Sequence, residues 1–380
     1  MVWVVKTNLR GIEGRPGPQG PPGPNAQLVS DDPRIPANSI SASSFAKWRA
    51  ARAAALAGAA PAKLLIVGDS TSQGAVTVPG SWPTALVGAL TRQGLKARSG
   101  IVAAATNIPD PRWTPASWIK AGDIGPGGGL WFANGAGTAG ILKATPGVSF
   151  TNVAVHYLCR AGSGSSVVRN GATTLFTMNG APGVDGPDNT YVSKSAAVAG
   201  TAATVIDINT PAGGGLYVLG FETWDTGNPA HVAVHNWAQS GTTTEQWISL
   251  PVSLDAITYL APALTIIMLG LNDSFASVSS ATYLARMITV INRAKQTGDV
   301  MVVTNPRTDP AFQAGVDTLQ AAYEVAIVDY CRANSIPLFD LYQRMGPFTP
   351  ASSGPWWRDQ VHQSDTTNQD IAQVIAGLLA

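Results

Sequence analysis

The chain is short of most features that would tie it to a metal, a membrane or a polyanion. It has two cysteines in 380 residues, Cys159 and Cys331. They lie far apart in differently patterned regions, form no disulfide framework, and are expected to be buried free thiols. There are four histidines, and no Cys/His spacing matches a metal site. Charged residues make up 12% with a formal net charge of +1, which gives nucleic acid or an acidic membrane surface little to hold. No apolar run approaches the ~20 residues of a membrane span, since Pro61 and Lys63 break the nearest candidate. The opening "MVWVVKTN" has a short apolar run and no cleavage-site pattern, so no signal peptide is expected.

Apolar residues, at 45%, suffice for a sizeable core. Residues 1–10 read as a docking segment. From 11 to 25, "GIEGRPGPQGPPGPN" places glycine at every third position, Gly11 to Gly23, the pattern of a collagen-like stalk, with a semi-rigid proline-rich linker that never trimerises as the alternative. Residues 26–40 are a proline-punctuated connector. A helix is expected over 41–60, with Ser41–Ser44 as caps and Pro61 as its stop.

"KLLIVGDS" is a continuous apolar run closing on glycine, the signature of a strand buried on both faces of a parallel sheet. Similar runs follow at 231–236, 263–270, 300–305 and 336–341, with helical stretches at 280–298, 318–334 and 366–379. That alternation predicts a doubly wound, flavodoxin-like α/β sheet over 41–97 and 229–380. Residues 98–228 break the rhythm. Short alternating segments at 148–158, 204–209 and 216–224 predict an inserted antiparallel β domain, jelly-roll-like in style. Trp113, Trp118, Trp131 and Trp224 within it are candidate stacking platforms, with core packing as the alternative for each.

Four segments carry the chemistry, and each is weak alone. Ser70 ends the first run in "LLIVGDSTSQG", where open α/β sheets place ligands. Gly241 lies in "VHNWAQSGTT", where a bare backbone N–H can approach a ligand. Asn272 lies in "GLND" at the end of "LTIIML", and "DQVHQS" supplies Asp359 and His362 before the last helix. His156, His231 and His235 sit in or beside strand patterns and read as structural.

In this order and at these strand ends, "GDSTSQG", "NWAQSGTT", "GLND" and "DQVH" resemble the blocks of the SGNH/GDSL hydrolase family. The resemblance implies a serine esterase needing no cofactor or metal. In it Ser70 is the nucleophile, His362 its base and Asp359 the residue that orients the imidazole. The N–H groups of Ser70 and Gly241, with the Asn272 amide, form the oxyanion hole. The long insertion departs from the family pattern and leaves the substrate open.

Short Gly-X-Y runs ahead of globular domains are similar to minor tail proteins of tailed bacteriophages. That likeness implies a virion-borne homotrimer joined through residues 11–25, mounted on phage tail proteins and acting on envelope esters at the host surface. The alternative is a non-catalytic tail adhesin that keeps the hydrolase fold as a scaffold.

Overall fold

The computed structural model describes residues 45–73, 81–103, 110–121, 130–134, 140–249, 251–348 and 356–380. The Gly-X-Y segment, the connector and the expected caps Ser41–Ser44 lie outside those residues.

Helix α1 (Ala46–Leu56) leads into β1 (Ala62–Gly68), buried from Leu64 to Gly68. Then come the short α2 (Ser70–Gln73), α3 (Trp82–Arg92) and β2 (Ala97–Ser99). Antiparallel strands follow: β3 (Val102–Ala103), β4 (Trp113–Thr114), β5 (Ile119–Ala121), β6 (Leu130–Ala133), β7 (Leu142–Ala144) and β8 (Phe150–Cys159). They continue with β9 (Ser165–Asn170), β10 (Thr173–Asn179), β11 (Thr190–Gly200), β12 (Ile206–Ile208) and β13 (Leu216–Trp224).

The chain then returns to the α/β pattern. It runs through β14 (Val232–Asn236), α4 (Thr244–Ser249), α5 (Pro251–Leu260), β15 (Leu264–Met268), α6 (Leu271–Phe275) and α7 (Ser280–Lys295). It closes with β16 (Asp299–Val303), α8 (Val316–Ala333), β17 (Leu338–Phe339), α9 (Leu341–Met345) and α10 (Asp365–Leu379). The Ser279 and Ser364 hydroxyls cap α7 and α10, each accepting from a backbone N–H three residues on.

The parallel sheet runs β17-β16-β15-β1-β14-β2. Leaving out the edge strand β2, the chain goes from β1 to β14 on one side and then to β15 on the other. That reversal makes β1 and β15 the borders of a switch-point crevice. The sheet reaches Ser99, past the boundary expected at 97, because β2 pairs in parallel with β14. Only three residues long and not fully buried, β2 has no apolar run to announce it.

Alternate residues of β1 serve opposite layers, as the pleat requires. Leu64 and Ile66 pack with Trp48, Leu86, Leu90 and Ile375 of α1, α3 and α10. Leu65 and Val67 join a second core with Ile257, Val290 and Ile327, which runs on into Val155, Val218 and Phe221 of the inserted strands. Those strands form two sheets, β10-β9-β12-β7-β4 and β11-β8-β13-β6-β5, with β3 added on β13. From β6 to β13 the chain alternates between the two sheets, staying in one only from β9 to β10.

The insertion is therefore built onto the α/β unit. The Tyr191 and Trp237 rings meet at 5.4 Å, and His156 Nδ1 lies 2.7 Å from the Tyr259 hydroxyl. Trp113 and Trp118 are buried, and their indole N–H groups donate to the Ala103 and Gly140 carbonyls. Both belong to the core and cannot be stacking platforms. Trp131 and Trp224 are half-buried. Cys159 and Cys331 are free and buried.

Candidate active site

Ser70 begins α2 immediately beyond the carboxyl end of β1. The turn is tight. A Cβ on Gly68 would come within 2.6 Å of the Ser72 side chain, so only glycine lets α2 fold back this closely. Asp69 holds the turn from beneath. Its Oδ1 accepts from the Thr71 N–H at 2.9 Å and the Thr71 hydroxyl at 2.7 Å. Its Oδ2 is buried without a hydrogen-bond partner among the described residues. Burial pushes the Asp69 carboxyl up to about 6, against the opposing pull of Thr71 and His362.

His362 arrives on the segment between α9 and α10. That segment is closed on itself by Arg358 N–H to the His362 carbonyl and Ser364 N–H to the Trp356 carbonyl, both at 2.9 Å. Nε2 of His362 lies 3.0 Å from Ser70 Oγ, and Nδ1 lies 2.9 Å from Asp359 Oδ2. With the carboxylate accepting from Nδ1–H, Nε2 is left as acceptor for the serine hydroxyl. Asp359 Oδ1 also accepts from the backbone N–H groups of Val361 and His362, at 2.7 and 2.6 Å. Partial burial pushes the Asp359 carboxyl up, but these bonds and the imidazole outweigh it and hold it below the ordinary carboxylate range. It stays ionised, as an orienting group must.

Gly241 has φ +80°, a conformation that favours glycine. Neither its N–H nor that of Ser70 makes a hydrogen bond among the described residues. Asn272 Nδ2 donates to the Thr242 carbonyl at 2.9 Å, which uses one of its two amide hydrogens and leaves the other without an acceptor among the described residues. Asp273, fully buried, accepts from the Thr244 N–H and hydroxyl and so fastens the start of α4 to α6. Gly270 precedes them at φ +125°, where a Cβ would strike the Tyr283 ring at 2.6 Å.

The structure thus brings Ser70, His362 and Asp359 into one hydrogen-bonded line. It sets the Gly241 and Asn272 loops beside each other at the carboxyl ends of β14 and β15. His156 and His235 are buried away from this line, His156 on inserted strand β8 and His235 on β14, where its Nδ1 accepts from the Ile101 N–H. His231 Nδ1 accepts from the Lys96 N–H.

Sequence reasoning passed over two residues that hold the site. Gln73 Oε1 accepts from the Ser240 N–H, and Gln363 Nε2 donates to the Thr71 carbonyl. Both sit inside or beside the quoted motifs. The only signal was a polar amide at a position that the pattern makes buried.

The model of the GDSL-like lipase/acylhydrolase family matches residues 217–369, which contain Gly241, Asn272, Asp359 and His362. Ser70 lies upstream of the match and joins these residues through the fold. Over residues 217–369 the chain is similar to the GDSL-like lipase/acylhydrolase family, as the four sequence segments implied.

Among solved structures, the chain is similar to a peptidoglycan O-acetylesterase, with a TM-score of 0.67 and 14% identity. That likeness covers 90% of this chain and 97% of the other. A lipolytic G-D-S-L protein from Veillonella parvula is 17% identical over 39% of this chain and 79% of its own, with a TM-score of 0.32. Axe2, an acetylxylan esterase from Geobacillus stearothermophilus, is 17% identical over 39% and 73% of the respective chains, also with a TM-score of 0.32. No curated protein matches the chain.

Proposed function

We propose that the chain is a serine esterase acting on acyl esters, acetyl esters above all, of cell-envelope glycans. The observation that carries this reading is the unbroken line from Ser70 Oγ through His362 to Asp359, at 3.0 and 2.9 Å. In it His362 Nε2 takes the Ser70 proton as Oγ attacks the ester carbonyl, and Asp359 stabilises the imidazolium that forms. The N–H groups of Ser70 and Gly241 and the remaining amide hydrogen of Asn272 receive the oxyanion. The imidazolium then protonates the departing alcohol, and water, activated by the same base, releases the acid.

The fold shared with a peptidoglycan O-acetylesterase over most of both chains supports a glycan ester as substrate. So does the inserted region, whose alternation between two sheets we read as a jelly roll. Between β2 and the ends of β8 and β13 lies a cleft of about 430 Å³, lined in part by Lys96, Arg112, Ser149, Trp224, Asp225 and Asn228. Arg112 is already paired with Asp110, so the cleft offers little net charge. An aromatic ring among amides and hydroxyls with balanced charge suits an uncharged sugar chain. The Gly-X-Y register at 11–25 supports a trimeric stalk of a phage tail, from which the enzyme would act at the host surface. At about 3.1 Å per residue its fifteen residues would span about 45 Å.

The test is hydrolysis of nitrophenyl esters from acetyl to octanoyl, and of O-acetylated peptidoglycan, by wild type, Ser70→Ala and His362→Ala. Activity confined to the wild type is expected. A folded wild type inert on every ester would overturn the reading and favour the adhesin.

A further inference from the structure

Gly241 is not held by packing. A Cβ added there would meet nothing within 4 Å among the described residues, and its backbone sits at φ +80°. A donor that must point at a developing charge cannot be left loose, because electrostatic stabilisation works only when the dipole is already aimed. The restraint comes from the neighbours on either side. The Ser240 N–H donates to Gln73 Oε1 at 2.5 Å, and the Thr242 carbonyl accepts from Asn272 Nδ2 at 2.9 Å. Thr242 is held further by its own hydroxyl, which donates to the Gln239 carbonyl at 2.7 Å.

Gln73 is singled out by where it stands. It lies on α2, the short helix that Ser70 begins, and its backbone N–H donates to the Asp69 carbonyl at 2.9 Å. Its side chain is buried. One turn of helix therefore carries both the nucleophile and the acceptor that tethers the Gly241 loop. Any shift of Ser70 moves the tether with it.

We infer that Gln73 is a positioning residue: its amide oxygen fixes the Ser240 peptide and so sets the Gly241 N–H in register with Ser70 Oγ. The inference rests on the esterase reading above and deepens it. Gln73 touches no reacting atom in this scheme. Its effect passes wholly through Gly241.

The experiment compares wild type, Gln73→Met, Gln73→Glu and Ser70→Ala on a nitrophenyl acetate. Met keeps the length and burial but removes the acceptor, and Glu keeps an acceptor oxygen. Misplacing one donor by a fraction of an ångström is expected to lower kcat between about 10- and 100-fold in Gln73→Met, with KM unchanged. Phenylboronic acid, which forms a tetrahedral adduct on a serine hydroxyl, should lose affinity by the same factor, and Gln73→Glu should lose less on both counts. A merely structural role would lower thermal stability and leave the boronate affinity of the folded fraction intact.

The inference is overturned by a Met variant with wild-type kcat, by a loss confined to KM, or by a Glu variant as impaired as Met. Should the Met variant fail to fold, a Glu variant with wild-type boronate affinity supports the inference and one that has lost it tenfold refutes it. An active Ser70→Ala would instead remove the esterase reading beneath it. Full turnover in Gln73→Met beside a dead Ser70→Ala refutes this inference alone.

Discussion

Asp69→Asn should make the protein more stable and less active, and the size of the first effect can be worked from the structure. Asp69 is fully buried, its Oδ1 is satisfied by Thr71, and its Oδ2 has no hydrogen-bond partner among the described residues. Burial raises its carboxyl from an ordinary value of 3.8 to about 6. The folded state thus binds this proton more tightly than the unfolded state does. Its stabilising contribution is complete below 3.8 and is lost as pH rises through 6. Two pKa units at about 1.4 kcal/mol each make that loss about 3 kcal/mol between pH 4 and pH 8.

An asparagine keeps the amide oxygen for Thr71 and never acquires the charge. Wild type and variant should therefore be nearly equal in stability at pH 4, and the variant ahead by up to about 3 kcal/mol at pH 8. Urea midpoints of both proteins across that range measure the difference directly, since the titrating groups not coupled to Asp69 cancel. A difference independent of pH would refute the argument. So would a variant less stable at pH 8. The cost of the wild-type charge has a use: it attracts the positive charge that His362 gains during turnover, and kcat should fall when it is removed.

Asn272→Ala should lower kcat by about 10²–10³ with little change in KM, because the oxyanion exists only after attack, and a loss confined to KM would make Asn272 a substrate-binding group. Removing residues 98–228 should give insoluble protein, since it uncovers Trp237, Tyr259 and the core face shared with Leu65 and Val67. The insertion's binding role is instead read with Trp224→Ala, which should weaken sedimentation with peptidoglycan and spare nitrophenyl acetate hydrolysis. Gly17→Ala should weaken trimer formation in native mass measurements of the full chain, whereas the outward-facing Gln19→Ala should not, because only glycine fits a triple-helix axis.

What the sequence disclosed was whatever a few adjacent residues could encode. The buried run from Leu64 to Gly68 announces a central strand because both faces must be apolar. The helical stretches expected at 280–298 and 366–379 show in the sequence because their pattern is local, and the structure adds the Ser279 and Ser364 caps at their starts. The spacing of Asp359 and His362 could be read for the same reason, since a carboxylate three residues before an imidazole reaches it within one turn of chain. Long-range partners left no such trace. Gln73 meets Ser240 across 167 residues and Gln363 meets Thr71 across 292, and nothing in either glutamine's own neighbourhood names its partner.

The insertion shows the same limit from the other side. Its alternating strands were visible, but alternation tells only that one face is buried, not against what. Read alone, it suggested a separate module. The Tyr191–Trp237 contact and the His156–Tyr259 bond show that part of its apolar surface is the missing cover of the hydrolase unit. A chain that has placed its insertion over one face of its own sheet cannot shed it without exposing that face. The insertion is therefore a condition of folding before it is a means of choosing a substrate.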